Sequence, residues 1–191
     1  MIWIREVNSS MLNYVKTLMT DVTDHKGNVI DVKTFISKPS GELQIEYYPS
    51  VTITLDRVVE ANNFNNHNSY TITHLNESTV SKKLEANKYA FDYTINFWAK
   101  NPIELDSMTK KFMMNTPKHG LIDVKDTDTD TIYECRMTLD GGLSVGGVAS
   151  ATTGTTIFRQ IFLCHIIVGI DNNPSMNYTV VNSIHNTKED M

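Results

Sequence analysis

Cysteine is scarce in this chain: 191 residues contain two, Cys135 and Cys164. Each sits inside an apolar run, without a CxxC partner or metal-ligand spacing, so both read as reduced core residues. Positive charge is also in deficit. Seventeen Lys and Arg face 22 Asp and Glu, a formal net charge of -5. That balance argues against broad nucleic-acid binding, which needs a basic surface to displace counterions. The small clusters Lys82, Lys83, Lys88 and Lys110, Lys111 read as solvated faces. Long apolar runs are missing too. The longest, Ile161–Ile170, is about half of what a membrane span needs. Met1–Arg5 is too short for a signal core and lacks a basic leader, which predicts a protein made and kept in a cytosol.

Signatures of chemistry are equally sparse. There is no GxxxxGK[ST], GxGxxG or HExxH pattern, and the GxSxG spelled by Gly142–Gly146 lies in a glycine-rich hairpin stretch with no helix after it, so it does not read as a nucleophile elbow. Asp126, Asp128 and Asp130 imitate the start of a calcium loop. Thr131 stands where its glycine belongs and Met137 where its final glutamate belongs, so the run reads as a solvated hairpin turn. The six histidines are scattered. His165 follows Cys164, but strand neighbours point to opposite faces, so they cannot easily meet. His165 therefore reads as a core or interface histidine. The expectation is a chain without catalytic residues, cofactor or metal.

What is present is globular: 40% hydrophobic and 20% charged residues, enough for one domain with a real core. A first helix is predicted from a cap at Asn8 or Ser9, with Leu12, Val15, Leu18 and Met19 at helical spacing. Strands are expected over Val29–Ile36, Leu43–Tyr48 and Ser50–Leu55, where Val51, Ile53 and Leu55 alternate with hydroxyl residues. The most legible piece is Tyr89–Ala99. Tyr89, Phe91, Tyr93, Ile95 and Phe97 fall on one strand face; Asp92, Thr94 and Asn96 fall on the other, read as solvated. Asn101 then caps a helix Pro102–Asn115, with Pro at its first position and Leu105, Met108 and Phe112 turned to the sheet. Short strands at Leu121–Val124 and Ile132–Met137 follow. Ile157–Ile170 reads as a central strand buried on both faces.

Two segments break this regularity. Residues 60–84 include Asn62, Asn63, Phe64, Asn65 and Asn66, and asparagine disfavours strand and helix interiors. This stretch is either a mobile loop or an arm that orders on a partner subunit, with Tyr70–Leu75 as a short hairpin strand. Residues 141–156 hold Gly141, Gly142, Gly146, Gly147 and Gly154 and read as a flexible hairpin loop for subunit contact. Residues 171–191 form a polar C-terminal extension. The element order suits one α+β domain over 1–191: a single mixed, mainly antiparallel sheet, helices on one face, and long extended loops. Candidate interface residues are those asparagines, Phe64 and glycines, with Trp3 and the 171–191 tail.

The stretch Pro49–Arg57, the Asn-rich insert and Tyr89–Asp106, with its aromatic strand running into a helix, resembles neck and tail-terminator proteins of tailed bacteriophages. The resemblance spans about Tyr48 to Ile170. It implies a homo-oligomeric ring, commonly a hexamer, that caps the tail tube or sheath and docks to the neck or head connector. It implies no catalytic residue and no cofactor. DNA would pass through the ring without specific recognition, and the protein would assemble in the host cytoplasm and end in the virion. Two alternatives stand beside it: another virion component, such as a baseplate or tube-associated protein, and a small enzyme or host-directed binding module, which would show a pocket with perturbed titratable groups.

Overall fold

The computed structural model describes residues 4–24, 26–37, 47–61, 70–76, 79–84, 87–149, 156–170 and 176–179. Helix α1 (Ile4–Met19) begins upstream of the expected cap. Its buried stripe Val7, Met11, Val15, Met19 recurs every four residues and starts before Asn8. Asn8 instead lies within the helix and accepts a hydrogen bond from the Tyr93 hydroxyl at 2.7 Å. A turn then closes on Asp24, whose Oδ1 accepts from the amides of Lys26 and Asn28 at 2.8 and 2.9 Å. Gly27 there has φ +83°, a left-handed conformation that glycine adopts without a Cβ penalty.

The main sheet has six strands in the order β1-β2-β5-β8-β7-β6. Strand β1 (Lys33–Ser37) is shorter than the expected Val29–Ile36 and pairs parallel to β2 (Ser50–Glu60). All other pairs in this sheet are antiparallel: β5 (Asn87–Ala99) with β2 and with β8 (Thr156–Ile170), and β7 (Ile132–Ala149) with β8 and with β6 (His119–Lys125). A second sheet pairs β3 (Tyr70–Asn76), β4 (Thr79–Leu84) and β9 (Met176–Thr179). Segment 60–84 thus contains a hairpin, and the C-terminal extension contributes a strand to it.

The expected strand-to-helix block is present, with the helix on its expected bounds and the strand starting at Asn87 rather than Tyr89. Helix α2 (Pro102–Asn115) opens with the Asn101 carboxamide accepting from the Ile103 amide at 2.9 Å. Asn101→Ala should lower stability by about 1 kcal/mol, the usual value of an N-cap side chain, measured by urea unfolding.

Both helices lie on one face of the sheet. Phe91, Tyr93, Ile95 and Phe97 of β5 meet Val51 and Ile53 of β2, Phe162, Cys164 and Ile166 of β8, and Met137 and Leu139 of β7 in one core. Phe97, Phe112 and Phe162 form a triangle with centroids 5.1 to 5.5 Å apart. Strand β8 is central, but it is not buried on both faces. Phe162, Cys164, Ile166 and Val168 are buried, while Leu163 is exposed and His165 and Ile167 are only half-buried. Both helices occupy the other side, so the alternation of a half-solvated strand was masked in the sequence by apolar residues on the open face.

Candidate functional site

The open sheet face carries a polar ladder that runs across four strands. Its first member is placed by a bulge. Leu55 opposes Tyr93 and Arg57 opposes Asp92, so Asp56 is an extra residue in β2. The bulge reverses the alternation of β2: Val58 rather than Arg57 joins Phe91 on the core side, and Arg57 arrives beside Asp92 on the open side. The β5–β8 register sets Asp92 opposite His165. The β7–β8 register sets Thr138 opposite His165, with Asp140 two residues on.

Contacts follow the register. Arg57 Nε donates to Asp92 Oδ2. His165 Nδ1 lies 2.5 Å from Asp92 Oδ1, and His165 Nε2 lies 3.0 Å from Asp140 Oδ2. A neutral imidazole has one N–H and can satisfy one of these carboxylates; the imidazolium satisfies both. Charges therefore alternate across the sheet as Arg57, Asp92, His165, Asp140. Burial alone would raise the Asp92 pKa, but the hydrogen bonds and charges of His165 and Arg57 hold it below the usual 3.8. Burial alone would lower the His165 pKa, but Asp92 and Asp140 raise it above 6.5. Both imidazole nitrogens face carboxylates. The ladder is a cross-strand brace.

A second tier lies along the same face. Arg159 Nε and Nη2 donate to Asn96 Oδ1 at 3.0 and 2.5 Å, and the Arg159 guanidinium stacks 4.7 Å from the Trp98 ring centroid. Trp98 Nε1 donates to Thr52 Oγ1 at 3.0 Å. Asp92 is 8% exposed and Asn96 4%, so these two are paired and buried rather than solvated as the alternation suggested. The turn after β6 also differs in detail: Asp126 is buried, and Thr127 Oγ1 donates to Glu6 Oε1 of α1 at 2.8 Å. The two thiols are inert core groups. Burial pushes Cys135 to about 11 and Cys164 to about 12. Among the described residues no group of three His, Cys, Asp or Glu could hold a metal ion, and no helix is long and apolar enough to cross a membrane.

Beside the ladder, β7 outruns β6 and continues along β8 as an arm on the edge of the sheet, clear of β5 only beyond Phe158. Pairing of β6 to β7 ends at Thr138, and pairing of β5 to β8 ends at Phe158. The two strands continue together to Ala149 and Thr156. Gly141, Gly142, Gly146 and Gly147 were expected in a loop but lie within β7. The register explains them. Between Asp140 and Leu143, and again between Val145 and Val148, β7 has one residue more than β8. Each Gly–Gly pair thus opposes a single residue, Phe162 in the first bulge and Phe158 in the second. Glycine is suited to such bulges because it lacks a Cβ. Asn62, Asn63, Phe64, Asn65, Asn66 and Gly154 lie outside the described residues. None of the ladder residues stood out as a site in the sequence. A signal was available only in Arg57, Asp92 and His165 as lone charged or polar groups within strands.

No family model matches the sequence, and no curated protein matches it. Among solved structures, the chain is similar to the sheath/tube terminator, in its extended state, of an extracellular contractile injection system, PVC. That similarity has a TM-score of 0.49 and 12% sequence identity. It covers 100% of this chain and 64% of the other, so this chain spans less than two thirds of that terminator's length.

Proposed function

We propose that this chain is a structural subunit of a tailed-bacteriophage particle. It assembles with copies of itself into a ring at the head–tail junction, ends the tail tube or sheath, and docks to the neck. The observation that carries this reading is the β7–β8 arm. Its outer backbone edge, from Asp140 to Ala149 on β7, has no strand partner among the described residues. An unpaired edge offers a row of N–H and C=O groups to another chain, and strand addition is a common way to join subunits. Gly141, Gly142, Gly146 and Gly147 would then sit in a subunit contact. Such a head-to-tail contact closes a ring when the rotation per subunit fits. The aromatic strand and helix of Tyr89–Asp106 support the reading through their resemblance to neck and tail-terminator proteins.

The test is light scattering and negative-stain imaging of the purified protein, with immunodetection in purified particles. The expected result is an annular oligomer and a particle-associated signal at the tail end. A monomer at every concentration, absent from particles, overturns the proposal. A signal at the opposite end of the tail would assign the chain to the baseplate.

A further inference from the structure

Asp140 is the last residue before the first Gly–Gly bulge, so the side chain that ends the ladder also marks the root of the arm. We propose that His165 is a proton-operated latch on this arm. As imidazolium it ties Asp140 to Asp92 across β8; as neutral imidazole it releases Asp140 and loosens the arm.

The geometry decides which contact is lost. Asp92 is the nearer carboxylate, at 2.5 Å from Nδ1, and is the more buried of the two acids. On deprotonation the remaining proton stays on Nδ1. Nε2 then presents a lone pair to the Asp140 carboxylate 3.0 Å away, and attraction becomes repulsion. Asp140 is half exposed and can turn to water. Gly141, the next residue, is open on its side-chain side, with no atom within 4 Å of where a Cβ would stand. The groups around His165 are few. Asp92 faces it from β5 with Arg57 of β2 behind; Thr138 and Asp140 face it from β7, with Arg136 one step further along; Leu163 and Ile167 flank it on β8. Arg57 stays charged throughout this range and keeps Asp92 ionised, which leaves His165 as the group that switches. The shift of His165 above 6.5, caused by Asp92 and Asp140, is consistent with this and puts the release above that pH. The latch is independent of the assembly reading, since a monomer would show it as well.

Hydrogen–deuterium exchange by mass spectrometry tests this on the full chain. Peptides from residues 141–149 are followed from pH 5.5 to 9 after correction for intrinsic rates, with peptides from α2, residues 102–115, as an internal reference. Exchange at the His165 C2 carbon reports its titration in the same samples. Protection of the arm should fall about three- to fivefold through the His165 transition, the range of a partly exposed ion pair, while the reference peptides hold. In Asp140→Ala, the arm should exchange fast at every pH while His165 still titrates. In His165→Gln, the pH step in the arm should vanish. An arm whose protection ignores the His165 transition, or keeps the same step in Asp140→Ala, overturns the latch.

Discussion

Replacing Phe112 with alanine is expected to remove about 3–5 kcal/mol of stability, the range for truncating a buried phenylalanine. That is a large share of the about 5–15 kcal/mol by which a domain is stable. The reason is where this ring sits. Phe112 is fully buried and is one of only two buried residues on α2, with Met108. Its ring stands 5.2 Å from Phe97 on β5 and 5.1 Å from Phe162 on β8, so it joins the helix to two central strands at once. Alanine would leave a cavity that the rigid sheet cannot close, and the tilted ring contacts would be lost with it. Phe112→Leu, which keeps much of the volume, should cost roughly 1–1.5 kcal/mol. Urea unfolding followed by far-ultraviolet circular dichroism measures both. An alanine variant within about 1 kcal/mol of the parent would show that α2 is not anchored through this triangle.

Asp92→Ala should cost about 2–3 kcal/mol near pH 6, the second largest effect of a single change. Breaking a fully buried ion pair costs about 3–5 kcal/mol, because the surviving charge is stranded. Here the surviving partners can partly rehydrate: the Arg57 side chain is 67% exposed and that of His165 35%. The expected cost therefore lies below that range. It should also depend on pH, in a direction that the two shifts define. His165 is raised, so its contribution is full below 6.5 and is lost as pH rises through its higher folded value. Asp92 is lowered, so its contribution is full above 3.8 and is lost as pH falls through its lower folded value. The difference between parent and variant should thus be widest in the mildly acidic window between them and shrink on either side. Stability curves at pH 2.5, 6 and 9 check this; a difference that is flat across them would mean that Asp92 braces the sheet through packing alone.

Parts of this architecture were legible because their causes are local. Tyr89–Ala99 alternates, Asn101 caps, Pro102 starts the helix, and Met108 and Phe112 repeat at helical spacing; each of these needs only a few neighbouring residues. The α+β class followed from the order of such pieces. The start of α1 was misplaced because Asn8 looks like a cap in isolation, whereas its carboxamide serves Tyr93, 85 residues away. The glycine pairs suggested a loop because glycine weakens a strand considered alone. Opposite β8, the same pairs absorb the extra residue of two bulges.

By itself, then, the sequence determined the strand-to-helix block, the apolar identity of the core and the reduced state of both cysteines. These depend on periodicity and composition, which are properties of short stretches. The tertiary structure alone decided the open face. Odd-position alternation in β2 would send Arg57 toward the core with Val51, Ile53 and Leu55; one bulge at Asp56 turns it to the other side. Asp92 and His165, 73 residues apart, become neighbours only through the β5–β8 register. Register is set by long-range strand pairing, and a shift of one residue exchanges the two faces of a strand. For that reason a brace built across four strands leaves no contiguous mark in the chain.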